Sequence, residues 1–90
     1  MKVLRSKAGK TLELSLELEG DRIRRVEISG DFMVTPSDAI EDLERKLLGA
    51  RVDECESIVK ETLKEAELIG INPEDIITAI RELSFRSRVQ

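Results

Sequence analysis

From Thr11 to Glu19 the chain reads T-L-E-L-S-L-E-L-E, with Leu12, Leu14, Leu16 and Leu18 alternating with Glu13, Ser15 and Glu17. A period of two places the leucines on one face of a strand and the polar set on the other, the pattern of a half-buried antiparallel strand. Gly20-Asp21 then offers a tight turn, and Ile23 to Ser29 returns as a second strand. A two-residue loop pairs Leu18 with Ile23, but continuing that register would set Leu14 opposite Glu27. One extra residue near Arg24-Arg25 restores Leu16 opposite Val26 and Leu14 opposite Ile28, so a bulge is predicted there. A three-residue loop, Gly20-Asp21-Arg22, gives the same later pairs with Ile23 turned outward. The pattern leaves both loops open.

Upstream, Val3 to Ser6 reads as a further strand with weaker alternation, joined through Lys7-Ala8-Gly9-Lys10. After Ser29 the period changes. Thr35-Pro36-Ser37-Asp38 has the chemistry of a helix start, with Thr35 as N-cap, Pro36 at the first helical position and Asp38 closing a capping box. Ile40, Leu43 and Leu47 follow at helical spacing, and Gly49 suits the stop. Asp53-Glu54-Cys55-Glu56 opens a second helix that carries Ile58, Val59, Thr62, Leu63 and Ala66 inward. Asn72-Pro73-Glu74-Asp75 opens a third, with Ile76, Ile77, Ile80 and Leu83. Strands first and helices after predict an α+β layer: a small antiparallel meander of two to three strands packed against three C-terminal helices. The expected organisation is one domain over residues 1–90, with a hairpin region at 1–29, helices within 35–84 and a tail at 85–90.

Ninety residues leave room for one thin core, and a 40% hydrophobic share is enough to fold it. The residue inventory removes many functions. There is no His, Trp or Tyr, and Cys55 is the single cysteine. A Ser–His–Asp triad, a Cys–His dyad and a zinc site built on His or several Cys are excluded, and so is an internal disulfide. Aromatic platforms that stack nucleic-acid bases are missing too. The N-terminus lacks the apolar run of a signal peptide, and no window approaches a membrane span. These features lead us to expect a cytoplasmic protein. Charged residues reach 38%, while Asn72 and Gln90 are the only amides, a balance that suits a heat-adapted source.

Charge is unevenly spread along the chain. Residues 1–25 hold seven basic and four acidic side chains, net +3; residues 26–85 hold six and fifteen, net −9; Arg86 and Arg88 add two positive charges. Solvated faces account for most of this. The functional alternative is a basic strand edge that meets an anionic ligand or an acidic partner. Nucleic acid is a poor fit to a net acidic domain without a basic helix stripe.

Few motifs carry chemistry. The carboxylates fall mainly on exposed helix positions or at helix starts, where they favour the dipole. Lys7, Gly9 and Lys10 form a glycine turn between two ammonium groups, able to hold a phosphate but lacking Walker spacing; a plain hairpin turn is the default reading. In Gly30-Asp31-Phe32, the glycine permits positive φ, Asp31 can bond nearby backbone amides, and Phe32 can plug the sheet–helix interface. Cys55 opens a helix between Glu54 and Glu56 with no basic neighbour in sequence, which reads as an inert thiol.

The run Gly-Asp-Arg-Ile-Arg-Arg-Val-Glu-Ile-Ser-Gly-Asp-Phe-Met, residues 20–33, resembles the accessory C-terminal domain of lipoate–protein ligase A. In that family the hairpin runs into Gly-Asp-Phe, matched by Gly30-Asp31-Phe32, and a helix ends in Leu-x-Gly, matched by Leu47-Leu48-Gly49. The glycine turn before the long strand resembles Gly9-Lys10, and a late Gly-Ile step resembles Gly70-Ile71. Family members often carry a second aromatic after the Phe, where this chain has Met33; that departure is expected to alter packing. The resemblance spans about Ser6 to Leu83. A ninety-residue chain opening at Met1 fits the separately encoded, small-subunit form of the family. The resemblance implies a non-catalytic accessory subunit, required when a larger catalytic subunit activates lipoate with ATP to lipoyl-adenylate. It implies a heterodimer with that subunit, lipoate and ATP with magnesium held there and not by this chain alone, and lipoyl-acceptor domains as indirect partners. It also makes Lys7, Gly9 and Lys10 candidates for ligand or partner contact, and Gly30, Asp31, Phe32 and Gly49 structural signature residues. Two alternatives stand beside it: an interaction module, unrelated to lipoylation, whose acidic helices bind a basic partner, and a stand-alone enzyme working through carboxylates.

Overall fold

The computed structural model describes the backbone of residues 2–5 and 11–88 and the side chains of residues 11–85. Three strands, β1 (Lys2–Arg5), β2 (Thr11–Glu19) and β3 (Arg22–Gly30), form an antiparallel meander in the order β1-β2-β3. Leu12 and Leu14 of β2 are fully buried together with Ile23, Val26 and Ile28 of β3, while Leu16 and Leu18 pack at the core margin. The hairpin closes by the two-residue loop, with Leu18 opposite Ile23 and Glu19 opposite Arg22. Gly20 has φ +63° and among the described residues no non-glycine has a positive φ, the pattern of a type II′ turn with glycine in its first central position. Glu17 then faces Arg25, which leaves Arg24 as the bulged residue and brings Leu16 opposite Val26 and Leu14 opposite Ile28. The bulge keeps the apolar residues of both strands on one side. Ile23 points inward, so the three-residue loop is ruled out.

One face of this sheet is covered by helices α1 (Ala39–Leu47), α2 (Cys55–Thr62) and α3 (Pro73–Arg88): α1 lies on β3, α3 on β1 and β2, and α2 packs between α1 and α3. Their inward residues are the ones that helical spacing selects, Ile40, Leu43, Leu47, Val59, Ile76, Ile77 and Ile80. The α3 start follows its sequence chemistry, with Pro73 as first helical residue and the Asn72 N–H donating to Asp75 Oδ2 at 2.9 Å.

The α1 start departs from the sequence expectation. Thr35 is not its N-cap. It ends a short strand, β4 (Met33–Thr35), which pairs antiparallel with β5 (Glu67–Ile69) in a separate ribbon, and the Thr35-Pro36 bond is cis. Helix α1 therefore begins only at Ala39, and Asp38 makes no side-chain cap bond. Segments of three residues are too short to show a period, so neither β4 nor β5 is visible in the pattern. The second helix also begins later than the acidic cluster suggests. Asp53 and Glu54 belong to a single 3₁₀ turn, Val52–Glu54, in which Glu54 accepts from the Arg51 N–H at 2.9 Å. Leu63 and Ala66 lie past the end of α2, yet Leu63 is buried and Ala66 packs against the core. Residues 85–88, expected as tail, continue α3.

Because β3 is the outer strand of the meander, its free edge needs covering. The segment after α1 does this. Gly49, at φ +81°, turns the chain so that its N–H donates to the Ile23 carbonyl at 2.7 Å, and the Ile23 N–H donates to Ala50 at 2.8 Å. Val52 N–H continues the contact to the Asp21 carbonyl at 2.9 Å. Farther along, Glu44 of α1 accepts from the Ile28 N–H at 2.6 Å in a partly buried position.

Leu14 tests this core. Leu14→Ala is expected to lower the unfolding free energy by about 2–5 kcal/mol, measured by urea denaturation. Leu14→Asp buries a charge without a partner and is expected to abolish the cooperative transition altogether.

Candidate functional site

The Gly-Asp-Phe segment closes a corner around Thr11. The Thr11 N–H donates to Asp31 Oδ1, and the Asp31 N–H donates back to the Thr11 carbonyl at 3.2 Å. A Cβ on Gly30 would collide with that same carbonyl oxygen and come within 2.9 Å of the Phe32 ring, so only glycine allows the approach. Phe32 packs on the core margin. Asp31 therefore bonds a backbone amide twenty residues away rather than one next to it in sequence.

Lys7, Gly9 and Lys10 lie outside the described residues. What the structure does place is their exit: Thr11, the next residue after Lys10, is held by Asp31. Gly30, Asp31 and Phe32 come together at one end of β3. Gly49 sits at the other end, against Ile23, and is not part of the same site.

Many of the remaining charged groups form surface pairs. Glu56 of α2 bonds Lys60 at 3.0 Å and also Arg81 of α3, while Lys60 reaches Glu74 of α3 at 3.7 Å. The hydrogen bond and charge of Lys60, reinforced by Arg81, hold the Glu56 carboxyl below its ordinary range. This cluster ties α2 to α3 and faces no cavity, which is the geometry of exposed ion pairing and not of acid–base chemistry. Arg25 with Glu27 at 2.7 Å is a second exposed pair, lining a shallow hollow of about 290 Å³ on the open face of the sheet with Ser15, Leu16 and Glu17. Cys55 is buried, and burial pushes its thiol up, with Arg81 partly opposing. Among the described residues no group of three His, Cys, Asp or Glu side chains is placed to hold a metal ion, and no helix is long and apolar enough to cross a membrane.

Two features escape sequence reasoning. Glu44 looks like any exposed helical acid until its contact to Ile28 is seen. Met33, expected to alter packing, is 68% exposed, and Ile69, directly opposite it in the ribbon, is 54% exposed.

A helix-covered antiparallel meander closed at one corner by Gly30-Asp31-Phe32 defines a small α+β domain. The family model described as the bacterial lipoate protein ligase C-terminus matches residues 4–80, and the chain belongs to this family. It is 38% identical over 71 residues to lipoate-protein ligase A subunit 2 of Thermoplasma acidophilum, covering 78% of this chain and 76% of that protein. It also superposes, with TM-score 0.78 and 32% identity, on a chain from a structure of an archaeal lipoylation system. That structure comprises a bi-partite lipoate protein ligase and its E2 lipoyl domain from Thermoplasma acidophilum, and the match covers 89% of this chain and 93% of that one. The charge-rich, amide-poor composition fits such relatives.

Two measurements check the site. Asp31→Ala removes the acceptor of the Thr11 N–H and should lower the melting temperature by roughly 4–8 °C, as loss of a capping carboxylate does, whereas Asp31→Asn keeps an acceptor and should recover most of it. Cys55 should react with an aromatic disulfide reagent at neutral pH far more slowly in the folded protein than in denaturant, because the folded thiol is buried and its ionisation is pushed upward.

Proposed function

We propose that this chain is a non-catalytic accessory subunit of a two-part lipoate–protein ligase, acting in the cytoplasm. Its role is to make the larger catalytic subunit competent to activate lipoate with ATP. The observation that supports this most is the likeness, over most of both chains, to a protein named as subunit 2 of such a ligase. The residue inventory points the same way, since the groups with shifted ionisation are the exposed ion-paired Arg25, Glu56 and Lys60 and the buried thiol of Cys55. Lipoate, ATP and its magnesium are then held by the larger subunit.

Activation joins the lipoate carboxylate to the α-phosphorus of ATP and expels pyrophosphate. The mixed anhydride formed is prone to hydrolysis, so the pocket must be ordered and dry. A small subunit supplies this by docking beside the pocket and binding the closed state better than the open one. Lys7 and Lys10, on the glycine turn that leads into Thr11, are our candidates for approaching the phosphates or an acidic patch of the larger subunit. Asp31 then acts as the anchor that holds the turn's exit. An unrelated module with acidic helices is less well supported, because Glu56 and Glu74, on the outer faces of α2 and α3, are already engaged by Arg81 and Lys60.

The test is lipoate-dependent ATP–pyrophosphate exchange by the larger subunit with and without this chain. Exchange should be strong only with both, and equal rates would refute the accessory role. Lys10→Ala should slow exchange by about tenfold, the worth of one charge-assisted contact. A variant that matches wild type in both exchange and partner affinity removes Lys10 from the mechanism.

A further inference from the structure

The β4–β5 ribbon is poorly explained as part of a free-standing domain. A two-stranded sheet of three residues each is marginal in water, and its inward pair, Val34 and Leu68, only reaches the core margin. Its outward face presents Met33 opposite Ile69, two large apolar side chains more than half exposed, and then Thr35 opposite Glu67. No third strand joins either edge among the described residues. Where the ribbon ends, a groove of about 390 Å³ begins between the start of α1 and the end of α2, bordered by Pro36, Asp38, Asp42, Glu65 and Ala66. Asp42 is engaged by Arg45 and Lys46, whereas Asp38, Glu65 and Glu67 have no ion-pair partner among the described residues. An apolar anchor point thus opens directly onto an acidic channel.

The position of this surface is also informative. Met33 is two residues beyond Asp31, whose carboxylate holds Thr11. The corner that holds the start of β2 therefore leads straight into the ribbon.

Resting on the accessory-subunit reading above, we propose that the Met33–Ile69 face of the ribbon and the adjoining acidic groove are the surface that docks the larger ligase subunit. The occupant is a segment of that subunit carrying apolar side chains followed by basic ones. The apolar pair supplies the anchor, methionine being adaptable to an irregular partner surface. Asp38, Glu65 and Glu67 set orientation and encounter rate, in keeping with the net charge of −9 over residues 26–85.

The experiment measures affinity of the intact chain for the larger subunit by calorimetry, alongside melting temperature. Met33→Gln combined with Ile69→Thr keeps strand-compatible, uncharged residues and should leave melting within roughly 4 °C of wild type. It should weaken binding at least about tenfold. Glu65→Lys with Glu67→Lys should slow association and reduce its salt dependence. Phe85→Ser, at an apolar residue of α3 that is 68% exposed, serves as the comparison and should bind normally. Wild-type binding with an unchanged Met33/Ile69 variant would overturn the docking surface alone, as would loss of binding in Phe85→Ser only. Self-association of this chain that the ribbon variant abolishes, with the larger subunit still bound, would reassign the face to a second copy and overturn the proposal. Absence of any wild-type binding would remove the accessory reading, and the proposal with it.

Discussion

The exposed edge of β3 is the constraint around which the rest of this small protein is arranged. The hairpin can bury Leu12, Leu14, Ile23, Val26 and Ile28 on one face, but as the last strand of the meander β3 leaves a row of backbone groups unpaired. Among the described residues no further strand joins this sheet, because β4 and β5 pair with each other. The solution is piecemeal: Gly49 and Ala50 pair with Ile23, Val52 with Asp21, and Glu44 with Ile28. Each contact comes from α1 or from the few residues after it. Helix α1 is thus held in place by the edge it covers as much as by Ile40, Leu43 and Leu47 beneath it.

The two family signatures act at opposite ends of that strand. Gly49 lets the chain fold back onto Ile23, and Gly30 lets Asp31 and Phe32 approach Thr11. In both places the glycine permits a close backbone contact that a side chain would obstruct or strain. What the structure shows of both signatures is that they fix backbone geometry. The shifted ionisations fit the same picture, since Glu56, Lys60 and Arg25 respond to exposed ion-pair partners and Cys55 to burial. None combines a charge partner with an enclosed space, the combination that marks an acid or base at work.

The meander and the inward faces of the helices were legible because they rest on period. Alternation along Thr11–Glu19 selects the buried leucines, and the need to keep Leu16 opposite Val26 locates the bulge. Choosing between the two loops was another matter, because both give the same later pairs and only the inward turn of Ile23 separates them. Chemistry at helix starts was less dependable. Thr35-Pro36-Ser37-Asp38 has the residues of a capping box, but the pairing of Thr35 with Glu67 drew it into a strand. Tertiary pairing outweighed a local preference of about 1 kcal/mol. The site was half legible: Gly30, Asp31 and Phe32 were singled out, but the partner of Asp31 lies twenty residues upstream and no local pattern reveals it. Met33 was misjudged for the same reason. Its exposure follows from a ribbon partner, Ile69, that is distant in sequence.

The size of the effect asked of such a subunit can be compared with what its surface can supply. Moving a catalytic pocket from about 1% to 99% closed needs roughly 5.5 kcal/mol of preference for the closed state. Central apolar anchors at protein interfaces are typically worth about 2 kcal/mol or more each. Met33 and Ile69 count toward that preference only through contacts made in the closed state and absent from the open one, so such anchors must meet a surface that closure itself forms. The Asp31 corner suits such a rigid role, because it joins the ribbon to the start of β2 by backbone geometry and one carboxylate. On the proposed reading the small subunit works as a preformed frame, and the conformational change belongs to the larger subunit.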